Sequence, residues 1–90
     1  MKIEFDQSKR ERTLLERGID FARASEVFAG VHFTSEDNRQ DYGEVRQITV
    51  GKLDARLVVL VWTPRRHSRR IISMRKANER EIKRFEKYLG

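Results

Sequence analysis

Leu57-Val58-Val59-Leu60-Val61-Trp62 is an unbroken apolar run in a chain where 38% of the residues are charged. Six residues are too few to cross a bilayer, and the run has no polar position to turn towards water. It therefore demands a central strand covered on both faces, with the rest of the chain supplying its neighbours and its cover. Residues 44–50 alternate with a strand period, and residues 51–56 connect them to the apolar run. Pro64, the sole proline, and the polar Arg65-Arg66-His67-Ser68 make the next turn, after which residues 69–74 return as a strand. Val31-His32-Phe33-Thr34 reads as a further short strand, and residues 35–43, with Asp37, Asn38, Asp41 and Gly43, as a polar loop. Links this short make consecutive strands antiparallel.

Ser8 with Glu11 three residues on has capping-box spacing and Gly18 supplies a stop, which predicts a helix over 9–17. Asp20 caps a second helix over 21–28, where Phe21, Ala24, Val27 and Phe28 recur on one face before Gly30. Asn78 and Glu81 repeat the capping-box spacing ahead of a last helix carrying Ile82, Phe85 and Leu89 at helical intervals. The expected architecture is α+β: two short N-terminal helices, a four-stranded antiparallel sheet and a C-terminal helix. One sheet face packs on helices, and the other face or its rim is left for a ligand. Ninety residues with no Pro-, Gly- or Ser-rich stretch suit a single domain over 1–90. The chain has no cysteine, no apolar leader and no membrane-length run, so the cytoplasm is the expected compartment and no membrane partner is expected.

Charge then narrows the partner. Twenty Lys and Arg against fourteen Asp and Glu give a net charge of +6, and fourteen of the cations are Arg. The planar guanidinium suits phosphate better than a lysine ammonium does. Arg65, Arg66, Arg69, Arg70, Arg75 and Lys76 fall in one acid-free segment, and the remainder of the chain is electrically neutral. Such a segment reads as a polyanion surface, or else as a dock for an acidic protein. Strand alternation sets Ile71, Ser73 and Arg75 on one face and Arg70, Ile72 and Met74 on the other, while Arg46 goes with Ile48 and Val50. Convergence of Arg46, Ser73 and Arg75 beside the 65–67 turn would gather forked donors, a hydroxyl and an imidazole around one phosphodiester.

The chain resembles the BrnT toxins of bacterial type II toxin-antitoxin modules. The resemblance rests on Phe5-Asp6 with Lys9, on Arg17-Gly18-Ile19-Asp20-Phe21, and on Ala24-Ser25-Glu26-Val27-Phe28. It continues through Gly43-Glu44-Val45-Arg46, Ile48-Thr49-Val50-Gly51, the strand at 57–63, and Arg70-Ile71-Ile72-Ser73-Met74-Arg75-Lys76-Ala77 with Glu81. Family members commonly carry an Asn and then Lys-His-Gly where this chain has Thr13 and Glu16-Arg17-Gly18, so no role of that histidine transfers. The resemblance implies a RelE-like fold and an endoribonuclease that cleaves mRNA, free or on the ribosome, and halts translation. It also implies a cognate BrnA-like antitoxin whose ribbon-helix-helix domain binds operator DNA.

RNA cleavage without a metal needs a base for the 2′-hydroxyl, charge stabilisation for the phosphorane, and an acid for the leaving 5′-oxygen. Arg46, Arg70 and Arg75 suit the charge role, because a guanidinium is a poor proton shuttle. His67 is the first candidate base, since neighbouring cations favour its neutral form, and Glu44 is the rival. Ser73 is a hydrogen-bonding candidate at the phosphate. Lys9, Tyr42, Arg65, Arg66, Arg69 and Lys76 are candidates for RNA binding, with Tyr42 as a stacking ring and Trp62 read as core. Neither His32 nor His67 has metal-ligand spacing, and no metal or other cofactor is expected. The same arginines would serve a noncatalytic RNA- or ribosome-binding module, which is the alternative reading.

Overall fold

The computed structural model describes residues 2–89. The chain runs through β1 (Lys2–Phe5), α1 (Gln7–Arg17), a 3₁₀ turn (Phe21–Arg23), α2 (Ala24–Ala29), β2 (His32–Glu36), β3 (Gln47–Leu53), β4 (Arg56–Pro64), β5 (Ser68–Lys76) and α3 (Glu79–Leu89). The strands form a five-stranded sheet in the order β1-β5-β4-β3-β2. The α+β class stands, but the four-stranded antiparallel sheet is corrected to a mixed sheet of five. β1 pairs in parallel with β5, Lys2 opposite Ser68 and Phe5 opposite Ile71. The short-link rule governs consecutive strands only, and β1 and β5 lie at opposite ends of the sequence.

The apolar run is central and covered on both sides. Val58, Leu60 and Trp62 pack with Phe21, Ala24, Val27, Ile71 and Met74 under the N-terminal helices. Val59 and Leu57 pack with Val50, Leu89 and Phe85 on the opposite face, beneath α3. Helices therefore lie on both faces rather than one, and α3 covers only part of its side. Trp62 is core, as expected: its Nε1 donates to Thr49 Oγ1 at 2.8 Å, and that hydroxyl also meets Thr34 Oγ1 at 2.8 Å.

The β4–β5 ladder slips in the middle. Val61 faces Ser73 but Trp62 faces Ile71, so Ile72 is an extra residue, a β-bulge. The bulge changes the expected parity. Ile71 turns into the core with Met74, and Arg70, opposite Thr63, moves onto the face that carries Ser73 opposite Val61 and Arg75 opposite Val59.

Element ends also shift. Asp6, not Ser8, caps α1 by accepting from Lys9 N at 3.0 Å, because the helix starts directly after β1. Gly18, at φ +70°, ends α1 in the left-handed region and donates to Leu14 O at 2.9 Å. The predicted helix over 21–28 divides into the 3₁₀ turn and α2, with Asp20 accepting from Ala22 N. Arg17 donates to Met74 O at 3.0 Å and ties α1 to the edge of β5 beyond its pairing with β1. The strand predicted at 44–50 begins at Gln47 and runs on through Gly51, Lys52 and Leu53, so the β3–β4 connection is only Asp54-Ala55. Gly51 permits α2 to approach, since a Cβ there would lie 2.6 Å from Val27 Cγ1.

Candidate functional site

The part of the second sheet face left open by α3 carries a linked row of charges. Glu44 contacts Arg46 at 3.6 Å and Arg65 at 3.4 Å, and Glu4 contacts Arg65 and Arg70 at 3.8 Å each. Strand pairing places Glu4 beside Arg70 and Arg70 beside Thr63. Arg65 enters from the β4–β5 turn, whose backbone closes through Arg65 N and Ser68 O at 2.9 Å. These contacts are longer than tight charge-assisted hydrogen bonds, so the guanidiniums keep donors for an incoming anion.

Arg46 is held from the side. Its guanidinium lies 4.0 Å from the Tyr42 ring centre, and its buried Nε has no hydrogen-bond partner among the described residues. The Tyr42 hydroxyl donates to Asp37 Oδ2 at 3.1 Å. Asp37 also accepts from Arg39 Nε and Nη2 at 2.8 and 2.7 Å, and its backbone N–H donates to Arg46 O at 2.8 Å. Hydrogen bonds from Arg39 hold the Asp37 carboxyl well below the usual carboxylate range, against the cost of its burial. The polar loop at 37–46 is thus pinned from within by one buried carboxylate.

Beside this row, Ser73 and Arg75 line a cavity of about 510 Å³ between the sheet and α3, with Arg39, Arg80 and Arg84 around an apolar floor that includes Ile48 and Val61. Arg75 donates to both carboxylate oxygens of Glu81 at 2.7 Å. Asn78 N donates to Glu81 Oε1 and Glu81 N to Asn78 Oδ1, each at 2.9 Å, so the predicted capping box is present and its carboxylate is shared with Arg75. Hydrogen bonds from Arg75 lower the Glu81 carboxyl to about 2. The same hydrogen bonds raise Arg75 above the ordinary guanidinium value. Arg46, Arg65 and Arg70 thus form a row linked through Glu4 and Glu44, and Ser73 and Arg75 line the neighbouring cavity with Arg75 held by Glu81.

The family model for the ribonuclease toxin, BrnT, of type II toxin-antitoxin systems matches residues 5–81. The chain belongs to the BrnT toxin family. Comparison with curated proteins returns no match. The BrnT family consists of ribonuclease toxins, and a type II system pairs its toxin with an antitoxin. Glu44, Arg46, Arg65, Arg70, Ser73, Arg75 and Glu81 all fall inside the matched span, while Glu4 lies one residue before it.

In this BrnT chain the acid-free segment does not form one patch. Arg65, Arg70 and Arg75 face the open side. Arg69 points the other way, its guanidinium 4.0 Å from the Phe28 ring centre and 5.4 Å from that of Trp62. Lys76 sits at the far end of the sheet opposite Val58. Arg66 and His67 are exposed on the turn, and the His67 carbonyl accepts from Lys2 N at 3.3 Å. Lys9 lines a smaller cavity of about 280 Å³ between α1 and β5, with Ser73 on its other wall. Glu4, Asp37, Arg39 and Glu81 were not among the site residues expected from sequence. Glu81 had a signal, since a capping-box acid six residues after Arg75 lies within reach of it, whereas Glu4 had none without β1. Among the described residues no group of three His, Cys, Asp or Glu is arranged to hold a metal, and no helix is long and apolar enough to cross a membrane.

Proposed function

We propose that this BrnT toxin is a metal-independent endoribonuclease that cleaves mRNA on the open face of its sheet and so halts translation in the cytoplasm. Its neutralising partner is a BrnA-like antitoxin, which reaches operator DNA through a ribbon-helix-helix domain. One observation carries the reading. The bulge at Ile72 sets Arg70 on the same face as Ser73 and Arg75, where Glu4 joins it to Arg65 and Glu44 joins Arg65 to Arg46.

In the proposed reaction the 2′-oxygen attacks phosphorus and the bond from phosphorus to the 5′-oxygen breaks. Arg46, Arg65, Arg70 and Arg75 take up the charge that develops on the nonbridging oxygens, and the Ser73 hydroxyl donates to one of them. Glu44 takes the 2′-hydroxyl proton, a change from the first expectation of His67. Glu44 sits between Arg46 and Arg65, whereas the His67 imidazole makes no hydrogen bond or ion pair among the described residues. His67, on the adjoining turn, is then free to protonate the leaving 5′-oxygen. Tyr42 serves by holding Arg46, and Lys9 and Arg66 extend the phosphate track. Arg69 and Lys76 are outside the proposed site.

The experiment is incubation of purified toxin with single-stranded RNA in excess chelator, followed by analysis of the fragment ends. The reading expects 2′,3′-cyclic phosphates and 5′-hydroxyls. Intact RNA with tight, salt-sensitive binding would instead mark a noncatalytic RNA- or ribosome-binding module.

A further inference from the structure

At the other end of the sheet, the first residues of β4, the last of β5 and one side of α3 from Ile82 to Lys87 enclose a groove of about 780 Å³. Leu57, Ala77 and Ile82 give it an apolar lining, and Ile82 is 37% exposed. Lys52, Arg56, Lys76 and Lys87 stand around it, with Glu86 as the one carboxylate among the described lining residues. We infer that this groove is a docking site for the antitoxin, taking a segment that presents an apolar anchor flanked by carboxylates. The inference rests on the antitoxin partner that a type II toxin has.

Two features select a protein over RNA. Among the described residues the groove has no aromatic ring in its lining, so it offers nothing for a base to stack on. Three of its four cations are lysines, whose point charges meet carboxylates without the forked geometry that the arginine row offers to phosphate. Charge sign selects an acidic segment, and the apolar floor selects an anchored one. Location matters as well. Arg56 is seven residues along β4 from Thr63, about 23 Å at strand rise, so the antitoxin can hold the toxin here without its anchor entering the arginine face. Both sites share α3, whose Glu81 grips Arg75 while Ile82 faces the groove.

The test measures capture of the fluorescently labelled antitoxin encoded beside the toxin gene, at about 0.15 M salt. The double variant Arg56→Glu/Lys87→Glu changes only exposed side chains and is expected to weaken capture by about tenfold or more. Ile82→Asp, confirmed as folded by its thermal melt, is expected to weaken capture at high salt too, where screening removes the charge contribution. Unchanged affinity in both variants would overturn the inference. Weaker RNA binding with capture intact would give the groove to nucleic acid, and loss of a toxin dimer with capture intact would give it to a second copy; either result also overturns it. Because the readout is capture, a toxin found not to cleave RNA would still report on the groove.

Discussion

Arg75 and Glu81 meet through two parallel hydrogen bonds of 2.7 Å, so an arginine on the open sheet face is tied to the first turn of α3. In the proposed site Arg75 supplies charge, and its orientation is set by Glu81. Glu81 therefore contributes to stability through its ionisation as well as to the geometry of the face.

The Glu81 carboxyl is lowered to about 2 in the folded protein. A depressed carboxylate contributes stability that is fully present above its unfolded value and is lost as pH falls through its folded value. The loss is expected between about pH 5 and pH 2, and its size is about 1–2 kcal/mol, because Arg75 is two-fifths exposed and screened by solvent. Thermal melts of wild type and Glu81→Gln across this range should converge at the acid end and separate towards neutrality.

Glu44 and His67 divide the proton chemistry in the proposed mechanism. Glu44→Gln is expected to lower cleavage by about 10²–10⁴-fold. His67→Ala should slow cleavage of a substrate with an ordinary 5′-alkoxide leaving group and be nearly silent on one whose leaving group needs no proton. The reverse pattern, with Glu44→Gln rescued by the activated leaving group and His67→Ala not, would return the base role to the histidine.

Thr49 is fully buried and accepts the Trp62 indole N–H. Thr49→Val fills nearly the same space but leaves that donor without a partner. The expected cost is about 1–3 kcal/mol, read by chemical denaturation.

Asp54 and Ala55 both have positive φ, at 52° and 64°, as the two-residue β3–β4 turn requires. Asp54 is held by Arg23 through bonds of 2.6 and 2.7 Å, but Ala55 has no such compensation for its left-handed backbone. Ala55→Gly should stabilise the protein by about 0.5–1 kcal/mol and raise Tm by a few degrees.

Much of this was legible in the residues because local chemistry decided it. The apolar run of β4, the Asn78–Glu81 cap and the Gly18 stop need no knowledge of distant partners. β1 was not legible: four residues carry too little periodicity, and their pairing with β5 joins the two ends of the sequence. The Ile72 bulge was hidden for a related reason, since alternation counts residues along one strand while a bulge is a mismatch between two. That hidden residue decides the site. Strict alternation sends Arg70 away from Ser73 and Arg75, and the slipped ladder brings it back. The cationic segment was equally visible as charge and ambiguous as surface, because neighbouring side chains on a strand point opposite ways.

Arg69 and Arg70 are adjacent in sequence and face opposite sides of the sheet, Arg69 over Phe28 and Arg70 beside Glu4. The most direct test of the proposed site compares RNA cleavage by Arg70→Ala and Arg69→Ala, with rates normalised to folded protein. Loss of about 10²–10³-fold in Arg70→Ala with near wild-type cleavage by Arg69→Ala is the result expected of a reaction on the open face. Equal losses in the two variants, or full activity in Arg70→Ala, would contradict it.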